Sequence, residues 1–416
     1  MTKKIAIVAH GHPEHRAGGA ELAAYTLFEA LKERDDVKPF FVARCDPSIL
    51  GHDGWFAKFR NTDDEILWSP PQMDFFRLIS MDSENLISPA KKLLDFLQPD
   101  VLHVQHYAHI GLDFVQLAAD ELNIPTVMTL HEYLMICANK GHMQKTNGRL
   151  CYAESFADCP VCLERGKPGH FFARKEHIQS AISRVKKFIS PSHFLKQRYV
   201  EWGLDASRIS VIENMLPPYL ESVDAVKAKG PKNLRSRFHV GFFGQISPEK
   251  GIHVLLEAAK LASKQKDCPF RISIHGANVS MQAAEFQEYF KNSCDELSGI
   301  VTHRGAYKND QIVDLMRTVD CVVIPSVWWE NAPVVIEEAK AAGVPVICSD
   351  IGGMAEKVKP GLDGLHFLAQ SPVDLVRAMR QLMEHRDDMT ITPTDVKAQN
   401  KVRSARHMEV YDDALD

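Results

Sequence analysis

Short apolar runs alternate with longer helical stretches along most of the chain. KIAIVAH (4–10) has the length of a strand and ends in a glycine-containing loop, and AELAAYTLFEALKER (20–34) then carries apolar residues at helical spacing. PFFVAR (39–44) reads as the next strand, whereas residues 45–85, rich in Trp, Pro and Asp, give no periodic signal. The alternation resumes with a helix over 90–97, strand DVLHVQH (100–106), a helix over 111–122 and strand TVMTLH (126–131). An irregular Cys-bearing segment (132–170) comes next, then a helix over 171–186, strand KKFISPS, a helix over 193–202 and strand ISVIEN. Repeated strand–helix–strand order predicts a parallel sheet covered by helices on both faces.

NMLPPYLESVDAVKAKGPKN (214–233) carries three prolines and no sustained apolar period, so it reads as an interdomain connection. A second series begins with HVGFFGQ and continues through FRISIHG, GIVTHRG, DCVVIPS, PVICSD and GLHFL, with helices between them, among them one over 334–342. The expected fold is therefore α/β, with two doubly wound domains in tandem: 1–213, interrupted by the Cys-rich insert 132–170, and 234–394. The last stretch, 395–416, reads as a helix solvated on most of one face, and a return onto the first domain stays open. In such sheets ligands bind beyond the carboxyl ends of the strands.

Composition narrows the class. A chain of 416 residues suits two cores better than one, and 45% apolar with 25% charged residues is a globular balance. A formal charge of −5 argues against a nucleic-acid partner. No apolar run approaches the ~20 residues that span a bilayer, and MTKKIAIVAHGHPEH lacks the apolar core and cleavage site of a signal peptide. Nine scattered cysteines fit a reducing compartment, so the expected location is the cytoplasm.

The chemistry sits in the loops that leave the strands. In VWWENAPVVIEE two carboxylates, Glu330 and Glu338, flank a helix entrance with seven residues between them. Pro333 suits the first turn of that helix. A helix entrance offers free N–H groups to phosphate, and a carboxylate deeper in the helix suits a vicinal diol. The plain alternative is an acid that stabilises the helix dipole and a solvated Glu338. GFFGQISPEKG (241–251) places Lys250 at a second strand end, where it can meet a phosphate as a point charge. CSDIGGMAE (348–356) adds Gly352 and Gly353, and GHPEHRAGGAE (11–21) adds Gly18 and Gly19 before a helix.

Taken together, GGAE, the Gly–Lys loop, the Glu-x7-Glu spacing and DIGGMAE resemble a retaining glycosyltransferase of family 4 with the GT-B architecture, in the subgroup with a Cys-rich insert. The likeness covers nearly the whole chain. It implies two Rossmann-like domains facing across a cleft, a nucleotide-sugar donor on the C-terminal one and a glycan or lipid-linked glycan acceptor on the other. It implies that Glu338 holds the ribose hydroxyls, that Glu330 contacts the transferred sugar and that Lys250 neutralises the diphosphate. The backbone at Ile351, Gly352 and Gly353 would touch sugar or phosphate, Gly18 and Gly19 would lie against the diphosphate, and His131 against the donor sugar. Catalysis would then fall to Lys250, Glu330 and His131, with no metal or other cofactor in the chemistry. The chain departs from the pattern at Gln245, where the family often has an arginine.

Cys137, Cys151, Cys159 and Cys162 are spaced C-x13-C-x7-C-x2-C. Four thiols in a stretch with little apolar content suit a structural zinc, with CPVC as a knuckle-type half-site. Free or redox-linked thiols are the other reading. His10, His12 and His15 read as solvated loop residues rather than metal ligands, and His103, His106 and His109 as structural. The stripe Ile178, Ala181, Ile182 and Val185 reads as a packed helix face, with contact to an anionic membrane as the alternative. Two other functions fit the same architecture. One is a non-catalytic glycan or nucleotide binder, which Gln245 favours. The other is a sugar-nucleotide epimerase, for which the sequence offers no acid/base pair.

Overall fold

The computed structural model describes residues 2–15, 18–50, 54–221, 237–265, 267–392 and 394–416, and every structural statement below concerns these. Residues 222–233 of the expected connection lie outside them. The chain forms two compact units, 1–217 together with 397–416, and 218–396.

The strands of the first unit are β1 (Lys3–Ala9), β2 (Val37–Arg44), β3 (Phe56–Lys58), β4 (Glu65–Trp68), β5 (Met73–Asp74), β6 (Ile79–Ser80), β7 (Val101–Val104), β8 (Thr126–Thr129), β9 (Lys187–Ser190) and β10 (Ile209–Val211). Among the described residues an eight-stranded sheet runs β10-β9-β8-β7-β1-β2-β4-β3, while β5 and β6 pair by themselves. β1 is central and parallel to both neighbours, with Ile5 paired to Pro39 on one side and to Val101 on the other. Ile5 through Ala9 are all buried, as a strand covered on both faces requires.

Three features differ from the sequence reading. Residues 45–85 hold strands of two to four residues, too short to show a period, and β3 runs antiparallel to β4 at the sheet edge. The next helix begins at Ser83 rather than 90. Asp82 caps it by accepting from the Asn85 N–H, and Pro89 lies inside it, which masks the start in the sequence. The helix expected over 171–186 spans Pro168–Ala181. Its apolar stripe, continued by Ile182 and Val185, is buried in the unit and so is not free to meet a membrane. No helix among the described residues is long and apolar enough to cross a membrane.

The final helix, Val396–Leu415, carries Met408, Val410, Tyr411 and Ala414 into the cluster built on Ile5, Phe28 and Phe41. Its Tyr411 hydroxyl lies 2.7 Å from Nδ1 of His103, whose Nε2 lies 2.8 Å from the Thr129 hydroxyl. His103 is therefore a core residue. His12 is equally buried, with Glu65 at 3.1 Å and the Phe59 ring against it, so it is not the solvated loop histidine expected.

The second unit contains β11 (Phe238–Phe243), β12 (Phe270–His275), β13 (Val301–Gly305), β14 (Cys321–Ile324), β15 (Val346–Ser349) and β16 (Gly364–Phe367). Its described strands form one parallel sheet in the order β13-β12-β11-β14-β15-β16. Counted from β11, that is the 3-2-1-4-5-6 winding of a dinucleotide-type fold. The helices Ile252–Ser263 and Pro372–His385 bury Leu255, Ala259, Leu375 and Met379 against Val240, Phe242 and Ile272.

Candidate active site

A doubly wound sheet reverses its winding where two neighbouring strands send their connections to opposite faces, and that point opens a crevice beyond the strand ends. In the second unit it falls between β11 and β14. Lys250 lies on the loop leaving β11 and Glu330 on the loop leaving β14. Their side chains meet there, with Lys250 Nζ 2.5 Å from Glu330 Oε1. The same oxygen accepts from the Ser326 hydroxyl at 3.0 Å and from the Trp328 indole N–H at 2.9 Å. Burial pushes the Glu330 carboxyl up, but the Lys250 charge and hydrogen bond and the Trp328 and Ser326 donors outweigh it and hold it below the usual value. Glu330 is thus a buried carboxylate that stays ionised. Lys250 keeps partial exposure, which leaves its ammonium within reach of an incoming anion.

The loops around this pair are tied by backbone. The Val327 N–H donates to the Glu249 carbonyl at 3.0 Å, and the Gly353 N–H to the Glu330 carbonyl at 2.7 Å. A Cβ on Gly353 would stand 1.7 Å from the Asn331 carbonyl oxygen, and one on Gly251 1.8 Å from that of Pro325. Gly251 also has φ +69. These glycines are needed so that three strand-end loops can close on one another. Gly352, at φ +63, would set a Cβ 2.8 Å from the Glu330 carbonyl oxygen. Ile351 caps the helix Gly352–Lys357 in extended conformation.

Pro333 stands one residue outside the helix Val334–Ala341 rather than in its first turn. Glu338 on that helix is 3% exposed, so it is not the solvated acid of the plain reading. Its Oε1 accepts from the Tyr219 hydroxyl at 2.5 Å. Burial raises the Glu338 carboxyl to about 7, with the Tyr219 bond pulling the other way. Burial and the neighbouring Glu338 raise the phenols of Tyr219 and Tyr307. Gln245 is exposed at the end of β11, after Gly244 at φ +137.

The first unit has its own reversal point, between β1 and β7. His10, just past β1, lies against His106, just past β7, with ring centroids 4.2 Å apart. His10 Nε2 is 3.1 Å from Glu21 Oε1, in the first turn of the helix Gly19–Lys32. His131, past β8, stacks parallel to His106 and lies 2.9 Å from Oε1 of the buried Gln105. Burial, with His10 adding to it, lowers His131 to about 3, so it is a neutral imidazole at any working pH. Nothing lies within 4 Å of the position a Cβ on Gly19 would take, whereas one on Gly18 would strike the Glu21 carboxylate.

The structure therefore brings Lys250, Gln245, Glu330, Glu338, Ile351, Gly352 and Gly353 to one end of the second sheet, and Gly18, Gly19 and His131 to the matching end of the first. Sequence reasoning missed Ser326, Trp328 and Tyr219. Trp328 lies beside Glu330 in the quoted motif and Ser326 immediately before that motif, and a buried carboxylate's need for donors was the available signal. Tyr219 falls in a segment that reads as a connection. Residues 214–221 are in fact packed, with Met215, Leu216 and Leu220 buried. Glu21 lies within GGAE, where the glycines draw attention away from it.

The sequence profile described as Glycosyltransferase Family 4 matches residues 17–218, and that described as Glycosyl transferases group 1 matches 225–401. Together they span nearly the whole chain. The chain belongs to this family of glycosyltransferases and has the GT-B fold. It is 26% identical over 240 residues to the D-inositol 3-phosphate glycosyltransferase of Paenarthrobacter aurescens, covering 55% of this chain and 57% of that protein. It is 31% identical over 191 residues to the lipopolysaccharide 1,2-N-acetylglucosaminetransferase of Salmonella typhimurium, covering 44% and 48%. The chain thus spans about half the length of the curated relatives it matches. In fold it is similar to Anabaena HepE in complex with UDP, with a TM-score of 0.64 at 18% identity, covering 99% of this chain and 97% of that one.

Proposed function

We propose that the protein is a retaining glycosyltransferase that moves a hexose-type sugar from a nucleotide sugar to a glycan or glycolipid acceptor in polysaccharide assembly. One observation carries this reading: an ionised, buried Glu330 and a reachable Lys250 meet at the winding reversal of a dinucleotide-type sheet, one loop away from Glu338. Heterolysis of the anomeric C–O bond leaves positive charge on the sugar and negative charge on the diphosphate. Lys250 and the backbone N–H at Gly352 stabilise the leaving diphosphate, so the step needs no metal. Glu330 accepts from sugar hydroxyls, and Glu338 accepts from the ribose diol. His131, a neutral imidazole at the strand ends of the first unit, is available there as a hydrogen-bond partner for a sugar hydroxyl. The acceptor hydroxyl attacks on the leaving-group face and its proton passes to the departing phosphate oxygen, so no protein nucleophile takes part.

The names of the relatives support a sugar transferred to an anionic or lipid-linked acceptor, and the UDP complex of HepE supports a nucleotide donor. We place the chain in the cytoplasm, working at the inner face of the membrane where such acceptors are presented. The test is a panel of nucleotide sugars assayed for transfer and hydrolysis, with a thermal-shift screen of nucleoside diphosphates beside it. Turnover of one donor supports the proposal. Binding without turnover supports the second reading, a non-catalytic binder of the same fold. The observation that favours that reading is Gln245, a neutral donor where the family often has an arginine. A charge-assisted hydrogen bond there would contribute about 1.5–3 kcal/mol.

A further inference from the structure

The segment between β8 and the helix Pro168–Ala181 has almost no core of its own. From Cys137 to His170 Met143 is the single buried apolar side chain, while Tyr152 and Val161 are exposed. Its ends are well tied. Arg174 donates to the carbonyls of Leu134 and Met135, and the Trp202 indole donates to Glu154. Its middle is held by hydrogen bonds rather than by apolar burial, among them the Cys151 N–H to the Met143 carbonyl at 2.8 Å and the Thr146 hydroxyl to the Cys162 carbonyl at 2.7 Å.

Cys137, Cys151, Cys159 and Cys162 line one cavity of about 210 Å³ in that middle. None is in a disulfide. Cys159 and Cys162 occupy a single helical turn, Asp158–Cys162, rather than the knuckle expected, and three residues apart they share a face. Backbone N–H groups are already aimed at the sulfurs. Those of Asn139 and Met143 face Cys137, and that of Ser155 is 3.4 Å from Cys159 Sγ. Donors of this kind orient a sulfur ligand toward a metal. The turn that presents Cys137 closes with the Gly141 N–H on the Cys137 carbonyl at 3.0 Å and runs through Lys140 and Gly141 at positive φ. As they stand, no three His, Cys, Asp or Glu side chains among the described residues converge closely enough to hold an ion. The four thiols instead ring the cavity.

We propose that these four cysteines bind one zinc ion tetrahedrally and that the ion is the structural core of the insert. Binding releases four thiol protons and leaves a tetrathiolate complex of net charge −2, beside Lys145 on the cavity wall. All-sulfur ligation without an open position gives the ion no place in the transfer chemistry.

The test uses the full chain, purified without chelator. Elemental analysis should find about one zinc per chain, released on titrating the thiols with an organomercurial. Release should open protease cuts within 138–165 while the helical circular dichroism of the two units persists. Metal-free protein given Co²⁺ should show thiolate charge transfer and tetrahedral visible bands. The Cys159→Ser/Cys162→Ser variant should keep its circular dichroism and lose zinc and the cobalt spectrum together. Metal well below one equivalent with no cobalt spectrum would overturn the proposal. So would a disulfide among the four in freshly purified protein, a brown iron-containing product, or full zinc retention by the double variant. None of these readouts depends on transferase activity.

Discussion

The ammonium nitrogen of Lys250 lies 2.5 Å from Oε1 of Glu330, eighty positions further along the chain. Each residue terminates a different strand loop, and only the reversal of winding between β11 and β14 makes the loops neighbours. The pair is held in place before any ligand arrives, because Ser326 and Trp328 fix the carboxylate that fixes the lysine.

Lys250→Ala removes the point charge expected to meet the diphosphate. Turnover should fall at least about tenfold, a loss of roughly 1.4 kcal/mol or more of transition-state stabilisation, with circular dichroism unchanged. Near-normal turnover in a folded Lys250→Ala protein would take Lys250 out of the phosphate role.

Glu338 gives a pH dependence whose sign follows from burial. Its carboxyl titrates at about 7 in the folded protein, against 4.5 for an ordinary glutamate. Between those values the folded state holds a proton that the unfolded state has released, so this group's contribution to stability falls as pH rises from about 4.5 to about 7. The effect is on the order of 3 kcal/mol. Glu338→Gln lacks this titration. The melting temperature of wild type minus that of the variant should therefore become more negative from pH 5 to pH 8. A difference that is flat with pH would show that Glu338 does not titrate in this window.

Ligand binding should move the same group in the opposite direction. A ribose diol donates to the ionised carboxylate, so nucleoside diphosphate affinity should rise as pH passes upward through about 7. Calorimetry in buffers of different ionisation enthalpy should detect a proton released on binding near pH 6.5. Proton uptake, or no exchange at all, would contradict the diol contact.

Two glycines separate a packing role from a ligand role. Gly353→Ala drives a methyl to 1.7 Å from the Asn331 carbonyl oxygen, so the loop that carries Glu330 must shift. A loss of about 1–3 kcal/mol of stability together with activity is expected. Gly19→Ala meets nothing within 4 Å and improves helix propensity, so its melting temperature should hold. A ligand role at Gly19 would show as a fall in turnover without any loss of stability. Equal melting temperatures for the two variants would refute the tight loop contact at Gly353.

Arg174 is buried and donates to the carbonyls of Phe76, Leu134 and Met135. Arg174→Leu leaves the buried Leu134 and Met135 carbonyls and the half-buried Phe76 carbonyl without this donor, at about 1–3 kcal/mol for each buried one. We expect a drop of several degrees in melting temperature and faster amide exchange over residues 132–136. Exchange that stays at the wild-type rate would place the anchor of the insert elsewhere.

The alternation of apolar runs and helical stretches was sufficient for the two α/β series, because a strand covered on both faces must be apolar throughout and a covering helix must repeat every 3.6 residues. It also marked the loops that leave β1, β11, β14 and β15, where Gly18, Lys250, Glu330 and Gly353 stand. It was silent over 45–85, where the strands are too short to have a period.

What the order of residues by itself determined, then, was which elements form and which loops leave their carboxyl ends, since both depend on local periodicity and turn chemistry. Only the tertiary structure decided that Glu330 is ionised and clamped by three donors, that Glu338 is buried with Tyr219 on it, and that His12 and His103 belong to the core. It also decided that the last helix completes the first unit's core through Tyr411. The physical reason is that burial and hydrogen-bond partnership arise between residues 80, 119 or 308 positions apart, brought together by a winding order to which local patterns are blind.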